Sequence, residues 1–196
     1  LLYESASKLS NEPEALYHLG MAYYMMGQGD AALTVFQRAV KVSPSFNGRE
    51  ETLKRIALLE QGGGAQTEAQ LAAIVQAQPK DLLARMRLGE LYQRQKQGGK
   101  AVETYEAVLA LNPKASSAMV KLAEVHADLL NDSAKALSYA RKAKDITPDD
   151  PETNRVLGRM LVRSGDMAGA YGVLQSASRK LTNRADLVYE LSAAAY

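Results

Sequence analysis

The sequence predicts an all-α chain of antiparallel helix pairs. Gly20, Gly89 and Gly158 stand at equal intervals of 69 residues, each within a run of apolar residues spaced three and four apart, which marks one helix face. Pro44, Pro79, Pro113 and Pro148 return at about half that interval, and each is a helix stop, because proline lacks an amide hydrogen and disfavours helix in the residue before it. Only 6 of 196 residues are proline, so long stretches between these stops are free to coil. A period of about 34 residues carrying two helical segments is a stack of hairpins that forms one elongated unit.

The first repeat, 13–46, carries Leu16, Leu19, Gly20 and Tyr23 on one helix and Ala32, Phe36 and Ala39 on the next, with Pro44 as its stop. Gly20 and Ala32 are small so that the paired helices approach closely, and Tyr23 and Phe36 fill the groove this leaves. The second repeat, 47–81, is less regular: it keeps Leu53, Ala57, Leu71 and Pro79, and Gly62, Gly63 and Gly64 read as a lengthened turn. In the third, 82–115, Leu88, Gly89, Tyr92, Ala101, Tyr105 and Pro113 restore the pattern. The fourth, 116–150, has Leu122, Ala123, Ala136, Ala140, Ala143 and Pro148, and the fifth, 151–184, has Leu157, Gly158, Leu161, Ala170, Leu174 and Ala177. Gly27, Gly98 and Gly165 stand at the turns within hairpins and supply residues that tolerate positive φ. Residues 1–12 read as the second helix of a preceding repeat, and 185–196, with Leu187, Val188 and Leu191, as the first helix of a following one. Both ends thus read as cuts through a longer array.

In order, Leu16, Leu19, Gly20, Tyr23, Ala32, Phe36, Ala39 and Pro44 reproduce the small and large residues of the tetratricopeptide signature, with only its leading Trp replaced. The chain resembles the tetratricopeptide-repeat family over essentially its whole length. The resemblance implies a right-handed superhelical solenoid, the alpha-alpha superhelix, and a non-catalytic scaffold for a multiprotein assembly; bacterial envelope or secretion machinery is the analogy. Relatives similar to the chaperone-tail clamp carry Lys and Asn at two early groove positions, where this chain has Tyr17 and Met21, so that partner class is not expected. The alternative reading is a substrate-selecting accessory region of a larger enzyme such as a glycosyltransferase.

Composition narrows the partners. The net charge of +2, from 24 basic and 22 acidic residues, does not favour nucleic acid or an anionic membrane surface. With no cysteine there is neither a disulfide scaffold nor a thiolate metal site, and cytoplasm and periplasm both stay open. No window approaches the roughly 18 uninterrupted apolar residues of a membrane span.

Catalytic constellations are missing from the pattern, and no cofactor is expected. Gly98, Gly99 and Lys100 lack the earlier glycine and following Ser or Thr of a phosphate loop. His18 and His126 have no ligand partner at helical spacing; His126 reads as a packed core residue and His18 as a surface contact. Glu50 with Glu51, and Asp149 with Asp150, lie at helix starts, where they cap. Asn131, Asp132 and Ser133 match a glycosylation acceptor only formally.

In such a stack the first helix of every hairpin lines a concave surface, the expected groove for a peptide. The helical count turns Tyr17, His18, Met21, Tyr24 and Met25 inward in the first repeat and Arg55, Leu58 and Leu59 in the second. Met86, Arg87, Glu90, Gln93 and Arg94 follow, then Lys121, Glu124 and Asp128, then Arg155, Arg159, Val162 and Arg163. The arginines recur every four residues on one face and could grip carboxylates, unless Glu90, Glu124 and Asp128 neutralise them. The expected guest is a protein or peptide with apolar and acidic residues. End-to-end self-association through Leu1, Leu2, Tyr189 and Tyr196 is a further expectation, native or an artefact of the cut ends.

Overall fold

The computed structural model describes residues 12–25, 28–60, 68–181 and 184–195. They form eleven helices and no strand: α1 (Pro13–Met25), α2 (Gly29–Val42), α3 (Arg49–Glu60), α4 (Glu68–Ala77), α5 (Leu82–Arg94), α6 (Gly98–Leu111), α7 (Ser116–Asp128), α8 (Ser133–Ile146), α9 (Pro151–Ser164), α10 (Met167–Ser178) and α11 (Ala185–Ala195). The expectations for residues 1–10, Gly27 and the Gly62–Gly64 turn lie outside the described residues. Helices α2, α4, α6 and α8 each end two residues before Pro44, Pro79, Pro113 and Pro148, as the missing amide and the clash with the preceding residue require.

The chain divides into two compact units, 1–87 and 88–196. In the first, α2 packs against both α1 and α3. Ala32, Phe36 and Ala39 are fully buried, and the Phe36 ring lies so close to Gly20 that a Cβ there would meet it at 2.4 Å. Helix α1 buries Leu16, Gly20 and Tyr24, one residue per turn on a single face. The sequence pattern puts Tyr23 in the core and Tyr24 in the groove; instead Tyr23 is half-buried and Tyr24 fully buried.

In the second unit α7 pairs with α8, α9 with α10, and α11 lies on α10 and α9. The small-against-large contact recurs: a Cβ on Gly89 would meet Tyr105 at 2.5 Å, and one on Gly158 would meet Leu174 at 2.4 Å. Ala136, Ala140 and Ala143 on α8 and Ala170, Leu174 and Ala177 on α10 form the apolar spine with Val156 and Leu187. Aspartates begin three of these helices by accepting from the amide three residues on: Asp132 from Lys135, Asp150 from Thr153 and Asp166 from Gly169. Each such cap stabilises its helix by about 1 kcal/mol. Gly165 ends α9 with φ of 85°, the expected left-handed cap. Gly98 has a different role: the positive φ of that turn falls on Lys96, at 59°, while Gly98 is buried where a Cβ would press on Leu130 at 2.9 Å.

Candidate functional site

Asp81 precedes α5 and caps it, its Oδ1 accepting the Ala84 amide at 2.9 Å. The same carboxylate takes two further donors. The Tyr24 hydroxyl lies 2.9 Å from both oxygens, and Arg55 Nη1 lies 2.6 Å from Oδ2. Arg55 also covers the Tyr24 ring at 4.2 Å and donates through Nε to Glu51 at 2.7 Å. Three distant segments thus meet at one carboxylate whose hydrogen-bonding capacity is met from inside the protein. Burial, reinforced by the Asp81 charge, pushes the Tyr24 hydroxyl far above the ordinary tyrosine range, so it stays protonated and donates.

Beside this cluster lies an open recess of about 440 Å³ lined by Met25, Arg55, Gln78, Pro79, Lys80 and Asp81, its surface nearly all apolar. A smaller recess of about 140 Å³, which shares Arg55, Gln78 and Asp81 with the first, is lined also by Glu51, Lys54 and Ile74.

The other groove positions of the first unit differ in access. Tyr17 packs over Gly48, His18 is exposed with its ring tilted on Tyr17 at 5.1 Å, and Met21 is half-buried. Met25 is open and Leu59 is buried. Met86 is buried, a correction to its inward-facing assignment, and Arg87 reaches Gly29.

In the second unit the first-helix positions do not present an open cationic wall. Helices α7 and α9 are buried almost all round, because each contacts its own partner helix and the neighbouring first helix, and short residues such as Ala118, Ala123 and Ala127 let those neighbours close in. Arg155 is only 5 % exposed and pairs with Glu152 at 2.5 Å, Glu124 at 3.2 Å and Asp186 at 3.7 Å. Arg159 and Arg163 converge on Asp128 at 3.0 and 2.9 Å, and Lys121 holds Glu124 at 3.0 Å. Arg184 pairs with Asp186 at 2.7 Å and Glu152 at 3.8 Å. Helices α7, α9 and α11 thereby carry acids and bases in a matched register of 31 residues: Glu124 with Arg155, and Asp128 with Arg159. Burial pushes the Glu152 carboxyl up, but Arg155 outweighs it and holds the group below its usual range. Glu90 lies near Tyr105, Gln93 accepts from the Tyr105 hydroxyl at 3.2 Å, and Arg94 is exposed.

His126 is buried and stacks on Tyr139 at 5.7 Å, as the sequence predicts. Glu50 and Glu51 lie in the first turn of α3, and Asp150 caps α9. Among the described residues there is no group of three His, Cys, Asp or Glu placed to hold a metal, and no helix long and apolar enough to cross a membrane.

Stacked helix pairs locked by a glycine against a large side chain define an α-helical repeat protein. The chain is a tetratricopeptide-repeat protein: two tetratricopeptide repeat models match it, one over residues 13–46 and the other over residues 92–151. It is 26 % identical over 153 residues to human protein O-mannosyl-transferase TMTC1, covering 76 % of this chain and 17 % of that protein. It is 27 % identical over 146 residues to anaphase-promoting complex subunit 3 of Schizosaccharomyces pombe, covering 74 % of this chain and 16 % of that protein. The chain therefore spans about a sixth of the length of these relatives. Among solved structures, TTC0263, a thermophilic tetratricopeptide-repeat protein of Thermus thermophilus, superposes with a TM-score of 0.61 at 23 % identity, covering 93 % of this chain and 98 % of that one. That likeness speaks to the superhelical solenoid fold alone.

Proposed function

We propose that this chain is a protein-interaction scaffold whose first repeats take a peptide or protein segment of apolar and acidic character, within a multiprotein assembly. The observation that carries this reading is the contrast between the two units. The α9 arginines of the second are engaged by Glu124, Glu152 and Asp128, whereas the first leaves Met25 exposed beside a recess with apolar walls. Apolar surface of this kind at a recess is what a partner's side chains would cover. A photo-reactive residue at Met21 or Met25 of the whole protein should crosslink to a partner, while one at Gly172, an exposed position on α10, should not. Crosslinking confined to position 172 would defeat the assignment.

A second reading, a substrate-selecting region of a larger enzyme, is favoured by the similarity to a protein named an O-mannosyl-transferase. In that case removing the repeats from the whole protein changes which acceptor proteins are modified without abolishing transfer to a short acceptor peptide. On either reading the repeats themselves bind and do no chemistry.

A further inference from the structure

We infer that the recess beside Pro79 receives one apolar side chain of a bound peptide, and that a neighbouring residue of that peptide is acidic. This rests on the protein-binding reading above and adds to it a pocket and a sequence preference.

The apolar half of the inference follows from the walls, whose surface is nearly all apolar and whose Arg55 and Asp81 are paired with each other. Arg55 spends its donors on Asp81, Glu51 and Gln78, and Asp81 receives Tyr24, Arg55 and the Ala84 amide. A guest polar group deep in the recess would find Arg55 and Asp81 already paired, whereas an aliphatic side chain would cover Met25, Pro79 and the stem of Lys80 without such a penalty. At about 440 Å³ the recess has the size of a small ligand pocket and easily holds one such side chain.

The acidic half follows from the rim. Lys80 is exposed, and neither it nor Arg85 meets a carboxylate among the described residues. Arg85 donates to the Pro79 carbonyl at 2.9 and 3.1 Å, which holds its guanidinium at the same turn. The nearby carboxylates, Glu51 and Asp81, are both taken by Arg55. Lys80 therefore stands at the recess with no acid of its own, and Arg85 adds a second such cation at the Pro79 carbonyl, in contrast to the second unit, where each arginine of the α9 stripe has a carboxylate partner.

Random peptides displayed on phage, selected against the full chain and its Lys80→Glu and Met25→Glu variants, test this. Both substituted positions are exposed, so the variants should keep the helical circular dichroism of the parent. The pool selected by the parent should be enriched in an apolar residue with Asp or Glu beside it. Lys80→Glu should lose the acidic preference and bind the leading parent peptide about fivefold more weakly, the scale of an exposed ion pair; Met25→Glu should lose the apolar preference. A pool without acidic preference, or one unchanged in both variants, overturns the recess assignment and leaves protein binding standing. Failure of any peptide to enrich above a bare support overturns the recess together with the peptide form of the broader reading.

Discussion

The Tyr24 hydroxyl and the Asp81 carboxylate, 57 residues apart, lie 2.9 Å from each other, and this contact ties α1 to the cap of α5. Tyr24→Phe removes one buried donor while Arg55 and the Ala84 amide stay on the carboxylate, so it should cost about 1 kcal/mol in denaturant unfolding. Asp81→Ala removes the cap as well and leaves Arg55 and Tyr24 facing an empty site. It should cost about 3 kcal/mol or more. Equal effects of the two substitutions would show that the carboxylate is not the hub.

Gly158 gives a test of close packing with a built-in control. A Cβ there would meet Leu174 at 2.4 Å, so Gly158→Ala should destabilise by about 1 to 3 kcal/mol, and Leu174→Ala in the same chain should recover part of that through a double-mutant cycle. Gly172, on the same hairpin, has nothing within 4 Å of its would-be Cβ. Gly172→Ala should stabilise by up to about 1 kcal/mol, because a helix interior favours alanine. Loss of stability at both positions would point to helix propensity, not packing, being misjudged.

Gly20, Gly89 and Gly158 were legible in the sequence because their large partners, Phe36, Tyr105 and Leu174, follow at a constant offset inside a strict period. Tyr24 was misplaced for the opposite reason. A helical count treats each hairpin by itself, and whether Tyr23 or Tyr24 is interior depends on Arg55 and Asp81, which belong to the following repeat. The burial of α7 and α9 has the same origin. A signal for the charge pairing was nonetheless present: laying first helices over one another sets Glu124 against Arg155 and Asp128 against Arg159. The positive φ at Lys96 was not readable, since Gly98 nearby drew the assignment to itself.

His126 should respond to acid. Burial, with Lys135 nearby, holds its imidazole below the usual 6.5, so the folded protein prefers the neutral ring. As pH falls below 6.5 the unfolded chain takes up this proton first, and the His126 contribution to stability declines until the folded ring also protonates. An NMR titration should give His126 a midpoint below 6.5; a midpoint above it would sink the argument.

Glu190 on α11 carries the reverse sign. Its Oε2 is buried without a hydrogen-bond partner, and burial raises its pKa above 4.5 although Arg155 and Arg159 pull it down. The folded state thus favours the protonated acid, and stability drains away as pH rises through that raised value. Glu190→Gln should therefore stabilise by a few tenths of a kcal/mol at neutral pH, an advantage that fades at a pH below 4.5, where the parent carboxyl is protonated in both states. Thermal melts at the two pH values decide it, and a variant less stable at neutral pH would contradict the burial argument.

The arginine stripe of α9 separates structural charge from available charge. Arg155 is enclosed beside Glu124, and its removal leaves that poorly hydrated carboxylate with Lys121 alone, so Arg155→Ala should lower stability by about 3 kcal/mol. Arg163 shares Asp128 with Arg159 at the surface, and Arg163→Ala should change stability by less than about 0.5 kcal/mol. Partner capture by the two variants then has a clear reading. If Arg163→Ala weakens capture at unchanged melting temperature, the exposed end of the stripe touches the partner; if only Arg155→Ala does so, and in proportion to its lost stability, the effect is that of a loosened α7–α9–α11 stack and the stripe is internal cement.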